Sequence, residues 1–552
     1  MKLIRKLVGM LTAAALSVGL LSSLPKSYPT AEAVDVGSLT AKQISEQMGL
    51  GWNLGNTLEA HAKDNNDNEI TGLLSEVTWS NPRATEQLIK AVRAKGFTTI
   101  RIPVTWGNHL VSGNTIDPIW FKRVHEVVDM ALDEGFYVIL NMHHENDWLI
   151  PDNNHYASDS AKLKAIWEQI ATEFKSYDKR LIFEGMNEPR TVGSAKEWTG
   201  GTPEERSVIN KLNSDFVDTV RQTGGTNSTR ALMIPTYAAS NDHEAMTALS
   251  LPNDSNLIVS VHAYTPYPFA MNGHSTYDDE MERQLAYFFE ELDNIFLNNG
   301  IPVCIGEFGA SNYSNDDERA KWAASYAGKA KQRKVPIVIW DNNTVSDPSA
   351  PSECYGLINR DTMTWYSSGE KLVKALTDTF GLTQTDYTPV YGDGNIRITT
   401  SDWWGEKSVT KSQLLAGHKA DEIVSITVKC NYRMQIGGSK EIFEYTISKD
   451  NIPDQLKIGV TAPSGRTATV WWEIKLAASR LVGDLNEDGN ITADDAIIAA
   501  RLAAGYGDYA ERYDSDVADM NRDGKVTADD AIIIARYAAG YGNYREIYTN
   551  YI

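Results

Sequence analysis

The chain has 552 residues, 42% of them apolar, too long for one hydrophobic core, so several domains are expected. Its net charge of −21 excludes a protein that grips nucleic-acid phosphates through Lys and Arg, and leaves neutral polysaccharide or cationic partners. With only Cys304, Cys354 and Cys430, it is no disulfide scaffold. Cys304 lies in an apolar run and reads as a small core residue, with a Cys304–Cys354 bridge left open.

The amino terminus reads as a secretory signal over residues 1–33. Lys2, Arg5 and Lys6 form the charged region, Leu7 to Leu24 is mostly apolar, and Ala31-Glu32-Ala33 offers an A-x-A cleavage site. The alternative is a membrane anchor, for which the apolar stretch is short and broken by Gly and Ser. No later stretch is apolar enough to span a membrane, so the mature protein is expected outside the cell.

Over residues 34–380, apolar runs alternate with amphipathic stretches. The predicted strands are Leu50 to Asn56, Thr98 to Val104, Tyr137 to His143, Leu181 to Asn187, Ala231 to Thr236, Leu257 to Tyr264, Pro302 to Phe308 and Pro336 to Asp341. Helical stretches such as Thr85 to Lys95 and Ile119 to Glu134 close on Gly96 and Gly135. Such units in series predict an α/β fold, a (β/α)8 TIM barrel. A doubly wound open sheet is the alternative, but Gly51-Trp52-Asn53-Leu54-Gly55-Asn56 lacks the glycine spacing of a phosphate-binding turn.

The fourth run, Leu181-Ile182-Phe183-Glu184-Gly185-Met186-Asn187-Glu188-Pro189, ends on an Asn-Glu pair. Pro189 stops the strand because it has no N–H for the ladder. The seventh, Ile301 to Gly309, likewise delivers Glu307. Two carboxylates at the carboxyl ends of barrel strands are the equipment for cleaving a glycosidic bond; the bland reading is two solvated strand-end glutamates. Other strand ends supply Asn53, Asn56, Arg101, His143, His144, His262, Tyr264 and Trp340. Arg101 lies inside an apolar run, where a buried guanidinium needs an anionic or carbonyl partner.

These motifs together resemble glycoside hydrolase family 5: Arg101-Ile102-Pro103-Val104, Asn141-Met142-His143-His144-Glu145, Asn187-Glu188-Pro189, His262-Ala263-Tyr264, Gly306-Glu307-Phe308-Gly309 and Ile339-Trp340-Asp341. Gly51-Trp52-Asn53-Leu54-Gly55-Asn56-Thr57-Leu58 resembles that family's endoglucanase and xyloglucanase branch. The resemblance implies a retaining endo-β-1,4-glucanase (a cellulase) that needs no cofactor for catalysis. Glu307 would be the nucleophile, and Glu188 the general acid and then base. Arg101 and Tyr264 would keep Glu307 ionised, and its charge would raise Glu188. Asn187 would hold the sugar 2-hydroxyl, His143, His144 and His262 would position hydroxyls or carboxylates, Trp340 would floor the cleavage point, and Asn53 would line the substrate site. Trp79, Trp106, Trp148 and Tyr267 are candidate groove aromatics, each as readily core or surface decoration.

Residues 381–389 are polar and Thr-rich and read as a linker. Over 390–478, short alternating runs (Ile396 to Thr400, Glu422 to Lys429, Ile442 to Ser448, Gln455 to Val460, Thr467 to Ile474) predict a small antiparallel β-sandwich. It carries Trp403-Trp404 and Trp471-Trp472. Strand alternation predicts one ring of each pair inward and one outward, the outward ones forming a stacking platform for a glucan. In size, aromatic content and placement it resembles a carbohydrate-binding module; a structural spacer is the alternative.

Residues 481–552 contain a repeat with an offset of 35 residues. Asp484, Asn486, Asp488 and Asp495, then Asp519, Asn521, Asp523 and Asp530, fall at calcium-loop positions one, three, five and twelve, with Gly489 and Gly524 at six. Asn490 and Lys525 at seven would offer backbone carbonyls, and all-oxygen donors indicate two Ca2+ ions. An apolar helix is predicted after each loop, Ala496 to Ala503 and Ala531 to Ala538, with no full helix before it. The alternative is a solvated acidic tail. The duplicated loops resemble a type I dockerin, which implies a cohesin domain of a scaffoldin as partner and a cellulosome-associated enzyme. Ala493-Asp494 and Ala528-Asp529 stand where some clostridial dockerins carry Ser-Thr, so cohesin choice does not carry over. A xyloglucanase, mixed-linkage glucanase or mannanase on the same site is the near alternative, and a non-catalytic glycan-binding docking protein the distant one.

Overall fold

The computed structural model describes residues 36–476, 481–486 and 488–544; the expected signal, residues 1–33, lies outside the described residues. The chain divides into two compact units, residues 1–81 with 88–387 and residues 82–87 with 388–552.

In the first unit, β1 (Leu50–Asn53), β2 (Thr99–Ile102), β3 (Tyr137–Asn141), β4 (Leu181–Glu184), β5 (Leu232–Ser240), β6 (Leu257–His262), β7 (Val303–Phe308) and β8 (Ile337–Ile339) close into a barrel. Every neighbouring pair is parallel. The order β1-β8-β7-β6-β5-β4-β3-β2 is the chain order closed on itself, as in a (β/α)8 barrel and not in a doubly wound sheet. Continuous apolar runs make these strands because both faces are covered, and β1, β2, β4, β6, β7 and β8 are buried at every residue. The helix Pro118–Asp133 starts where the Asp117 side chain accepts the Ile119 N–H at 2.9 Å.

Most predicted strands run past the regular ladder. Beyond β4, the Gly185 N–H still donates to the Met233 carbonyl (3.0 Å) and the Asn187 N–H to the Met142 carbonyl (2.8 Å). The chain is thereby held rigid while Asn187 and Glu188 leave the sheet at its carboxyl end. At the opposite end, the helix Ala41–Met48 packs Ile44 and Met48 against Ile139, Ile182, Met233, Ile258 and Cys304. Cys304 is therefore core. All three cysteines are buried free thiols, so the Cys304–Cys354 bridge is not formed.

The second unit contains a six-stranded antiparallel sheet: β9 (Gly394–Thr399), β10 (Trp404–Thr410), β11 (Ile423–Ile436), β12 (Ile442–Ser448), β13 (Gln455–Thr461) and β14 (Thr467–Leu476). The order is β9-β14-β11-β13-β10, with β12 also on β11. β11 serves two sets of partners: residues 423–430 pair with β14 and residues 433–436 with β13. Ile426, Val428, Met434, Ile458, Val460 and Val470 lie in its core. β10 was missed in the sequence because Glu406, Lys407 and Ser408 leave it no apolar pattern. Further along, the helices Ala493–Ala503 and Ala528–Ala538 pair, and Leu485, Ala499, Val517, Met520 and Ile534 pack together. Each starts three residues earlier than predicted, in a capping box formed by Thr492 with Asp495 or Thr527 with Asp530.

Candidate active site

The carboxyl end of the barrel gathers the predicted residues around Arg101. This side chain is fully buried. Its Nε donates to Glu184 (2.7 Å), one terminal nitrogen to Glu307 (2.8 Å) and Asn53 (3.0 Å), and the other to Asn187 (2.7 Å). Burial alone would lower its pKa, but Glu184 and Glu307 more than reverse that and hold it charged. Tyr264 donates its hydroxyl to the second Glu307 oxygen at 2.9 Å. Burial and the Glu307 charge push the Tyr264 phenol well up, so it remains a donor.

Glu188 lies closer to solvent, its side chain 17% exposed against 7% for Glu307. His262 Nδ1 meets one Glu188 oxygen at 2.7 Å and stands 3.7 Å from Glu307. Arg190 approaches the other Glu188 oxygen at 3.5 Å. Glu188, His262 and Glu307 thus bring one ligand-type atom each within 4.8 Å of one another. A cation there would face Arg101 and Arg190 as well, so the negative charge is already met by the protein.

Burial and the neighbouring charges act on these groups in opposite senses. Burial pushes the Glu188 carboxyl up, but the His262 hydrogen bond and the charges of His262, Arg190 and Arg101 outweigh it and hold it below the ordinary value. Burial raises Glu307; His262 and Arg101 oppose this without cancelling it, and the Glu188 charge adds to it. Burial would lower His262, but the two carboxylates raise it. His262, 2.7 Å from Glu188 and 3.7 Å from Glu307, thus couples the two carboxyls.

Trp340 is nearly buried and lies 5.9 Å from the His143 ring, the two almost parallel. Gly55 makes this position available: a Cβ there would meet the Trp340 ring at 2.8 Å. Burial and the neighbouring charges drive His143 well below its ordinary pKa, and burial takes His144 down to about 4. Both act as neutral rings. His144 extends the ring series to His61 (5.3 Å) and Trp79 (5.5 Å).

Asn53 departs from expectation, and Trp106, left open between groove and core, falls in the core. Asn53 has no exposure: its Nδ2 donates to the Gly306 and Val338 carbonyls and its Oδ1 accepts from Arg101. It holds Arg101 and faces no substrate. Trp106 is fully buried, donating to the Asn141 carbonyl at 2.8 Å, so it is core. Trp79 and Trp148 are half-buried and Tyr267 is exposed. The sequence reading missed Glu184, Arg190 and Glu145. Glu184 is fully buried and also accepts from Ser260 at 2.6 Å; a carboxylate within Leu-Ile-Phe-Glu needs a buried cation by the argument already applied to Arg101. Glu145 accepts the Trp106 and Gly107 N–H groups, at 2.6 and 3.0 Å, and the Trp148 indole N–H at 2.5 Å.

In the β-domain, Trp472 is buried and Trp471 half-buried, as alternation predicts. The first pair departs from it: Trp403 is 52% and Trp404 39% exposed. Trp403 precedes β10 in a turn with φ 67°, so the period-two rule does not reach it.

The C-terminal loops turn their oxygens inward. Asp484 accepts the Asp488 and Gly489 N–H groups, and Asp495 those of Leu485 and Asn486. Asp519 accepts from Asp523 and Gly524, and Asp530 from Asn521. Gly489 (φ 85°) and Gly524 (φ 80°) make the left-handed turn at position six. Oxygen donors curled by the same bonds in both copies fit a hard cation such as Ca2+.

The profile of the cellulase family, glycosyl hydrolase family 5, matches residues 61–346, and that of the dockerin type I domain matches residues 482–538. Endoglucanase A of Clostridium longisporum is 44% identical over 356 residues, 63% of this chain and 68% of that protein. Endoglucanase A of Ruminococcus albus is 44% identical over 342 residues, 60% of this chain and 91% of that one. A solved structure described as a broad specificity endoglucanase from Ruminococcus flavefaciens superposes with a TM-score of 0.60 at 44% identity, covering 62% of this chain and 99% of that one.

Proposed function

The chain belongs to glycosyl hydrolase family 5 and carries a C-terminal type I dockerin; from that premise we propose a secreted, cellulosome-borne endo-β-1,4-glucanase that retains anomeric configuration. The observation that carries this is the approach of Glu188 and Glu307 oxygens to within 4.8 Å. Retaining enzymes hold their carboxyl groups about 5–5.5 Å apart, whereas inverting ones leave about 6.5–9.5 Å for a water.

Glu307, deepest and fixed by Arg101 and Tyr264, attacks the anomeric carbon as the bond to the leaving sugar breaks. Glu188 gives that sugar's oxygen a proton. The 2.7 Å contact with His262 keeps a proton at hand. In the second step Glu188 takes a proton from water, the water attacks the same carbon, and Glu307 departs. Asn187, oriented by Arg101, holds the 2-hydroxyl; His143 and His144 accept or donate as neutral rings; Trp340 floors the cleavage point.

The likeness to a broad specificity endoglucanase supports a second reading, in which xyloglucan, mixed-linkage glucan or mannan is cleaved by the same residues. In the β-domain, Trp403, Trp404 and Trp471 are the candidate glycan contacts, with Trp472 as core. The dockerin binds calcium, and we assign one ion to each loop, two in all, with a scaffoldin cohesin as partner. Product release from carboxymethyl-cellulose, xyloglucan, lichenan and glucomannan, beside Glu188→Ala, tests the reading. Cellulose and mixed-linkage glucan leading supports it; a tenfold lead for xyloglucan, about 1.4 kcal/mol in the transition state, moves it to the second. Equal turnover by Glu188→Ala contradicts both.

A further inference from the structure

Beside the aromatic floor of the site lies a buried cation that the proposed chemistry does not use. The Arg360 side chain has no exposure. One of its terminal nitrogens donates to the Gly55 carbonyl (2.7 Å) and the Thr57 hydroxyl (2.8 Å), the other to the Asp341 carbonyl (2.6 Å). Gly55 and Thr57 lie in the turn after β1, and Asp341 follows Trp340 beyond β8, so one side chain ties the exits of the two strands that close the barrel. Carboxylates fasten both exits again. Glu59 accepts the Asn56 N–H and, at 2.8 Å, the Thr57 N–H. Asp341 accepts the Trp52 indole N–H at 2.9 Å and the Asn343 N–H at 2.8 Å, and stands 3.8 Å from Arg360. The Asp341 carboxylate answers the Arg360 charge, and the three hydrogen bonds from the guanidinium fix position.

Trp340 stands on this junction. A Cβ on Gly55 would meet both the Trp340 ring and the Asp341 carbonyl at 2.8 Å, so the indole rests on the Gly55 backbone, beside the carbonyl that Arg360 holds. The Gly55 N–H donates to that same carbonyl at 3.2 Å. A change in the spacing of the Gly55 and Asp341 carbonyls therefore moves the ring. We propose that Arg360 is a positioning residue: by fixing that spacing it sets the plane of Trp340, and through it the place of the hexopyranose ring whose bond is cut. This rests on Trp340 as the floor of the cleavage point. Arginine suits the task because its planar fork fixes two acceptors at once, whereas a lysine ammonium is a point charge on a flexible stem. A misplacement of about 1 Å at the reacting centre is enough to lower a rate about a hundredfold.

The test is a double-mutant cycle on cellohexaose hydrolysis, with thermal unfolding followed in parallel. Arg360→Lys keeps the charge and loses the fork. It lowers kcat about tenfold and changes KM less than about twofold, because the sugar still binds but lies out of line. In a Trp340→Ala background the same substitution lowers kcat less than about twofold, since the ring it acts through is gone. An unchanged rate for Arg360→Lys overturns the proposal. So does an equal tenfold fall in both backgrounds, which is what a general loosening of the barrel gives. If Arg360→Lys unfolds, Thr57→Val carries the cycle. It removes one of the three bonds, lowers kcat about threefold, and lowers it no further in the Trp340→Ala background; equal falls in both overturn the proposal. Trp340→Ala at the parental rate brings down the floor assignment and the proposal with it, whereas additive falls beside an impaired Trp340→Ala bring down the positioning alone.

Discussion

At the barrel mouth, Glu184, Glu188 and Glu307 are met by Arg101, Arg190 and His262 at 2.7 to 3.7 Å. In the C-terminal loops, Asp484, Asp495, Asp519 and Asp530 accept hydrogen bonds from neutral donors, and among the described residues none of them pairs with Lys or Arg. Both places concentrate carboxylates, but only the first neutralises them itself. A site complete in its own charge is built for a neutral ligand and for moving protons; a site left negative is built for a cation. On the proposed reading the same residue type does chemistry in one unit and holds metal in the other, and the partner charge decides which.

The strongest way to break this contrast is to remove the carboxylate proposed as nucleophile. Glu307→Gln should cut kcat on cellulosic substrate by about 10⁴-fold or more with the melting temperature nearly unchanged, measured by reducing-sugar release and calorimetry. Near-normal turnover would contradict its role. Chelation is the matching test on the other unit. EDTA should abolish cohesin binding in pull-down and loosen residues 481–544 to proteolysis while glucanase activity stays at its starting level. Loss of activity alongside would place a metal need in the barrel.

Removing a counter-charge sharpens the comparison further. Arg101→Met leaves Glu184 and Glu307 buried together, which should cost about 3–5 kcal/mol in urea unfolding. Trp472→Ala should cost about 3–5 kcal/mol as a core truncation, whereas Trp403→Ala should stay within about 0.5 kcal/mol. The smallest effect is in pH. His262 is raised from 6.5, so its proton stabilises the fold fully below that value and the gain is lost as pH rises through the raised folded value. Glu188 is lowered from 4.5, so its gain is present above that value and lost as pH falls. The melting-temperature gap between the protein and His262→Gln should be widest between pH 4.5 and 6.5 and should close towards alkali. A gap that widens above neutrality contradicts the ion pair.

The barrel was legible because its strands are covered on both faces, so apolar runs mark them without any turn signal. Glu307 and Asn187-Glu188 were legible because each ends such a run. The calcium loops could be read because their donors are local in sequence. What stayed hidden depends on distant partners. Glu184 looked like one more residue of its strand until Arg101 met it, 83 residues away in sequence. Asn53 sits at a strand end as a sugar-binding residue would, yet its amide is used by the Gly306 and Val338 carbonyls. Trp106 lies just after a strand end, yet its indole turns in to the Asn141 carbonyl. Trp403 broke the alternation rule because the strand starts one residue later. The link that His262 makes between Glu188 and Glu307 depends on distances that the sequence does not give.

The most direct test of the central claim is covalent trapping. The protein is incubated with a fluorinated cellobioside inactivator that slows breakdown of a glycosyl-enzyme, then digested and sequenced by mass spectrometry. One cellobiosyl-type adduct on the Glu307 carboxylate, absent from Glu307→Gln, is the predicted result. An adduct on Glu188, or full hydrolysis of polysaccharide with inverted products and no adduct, would contradict the account.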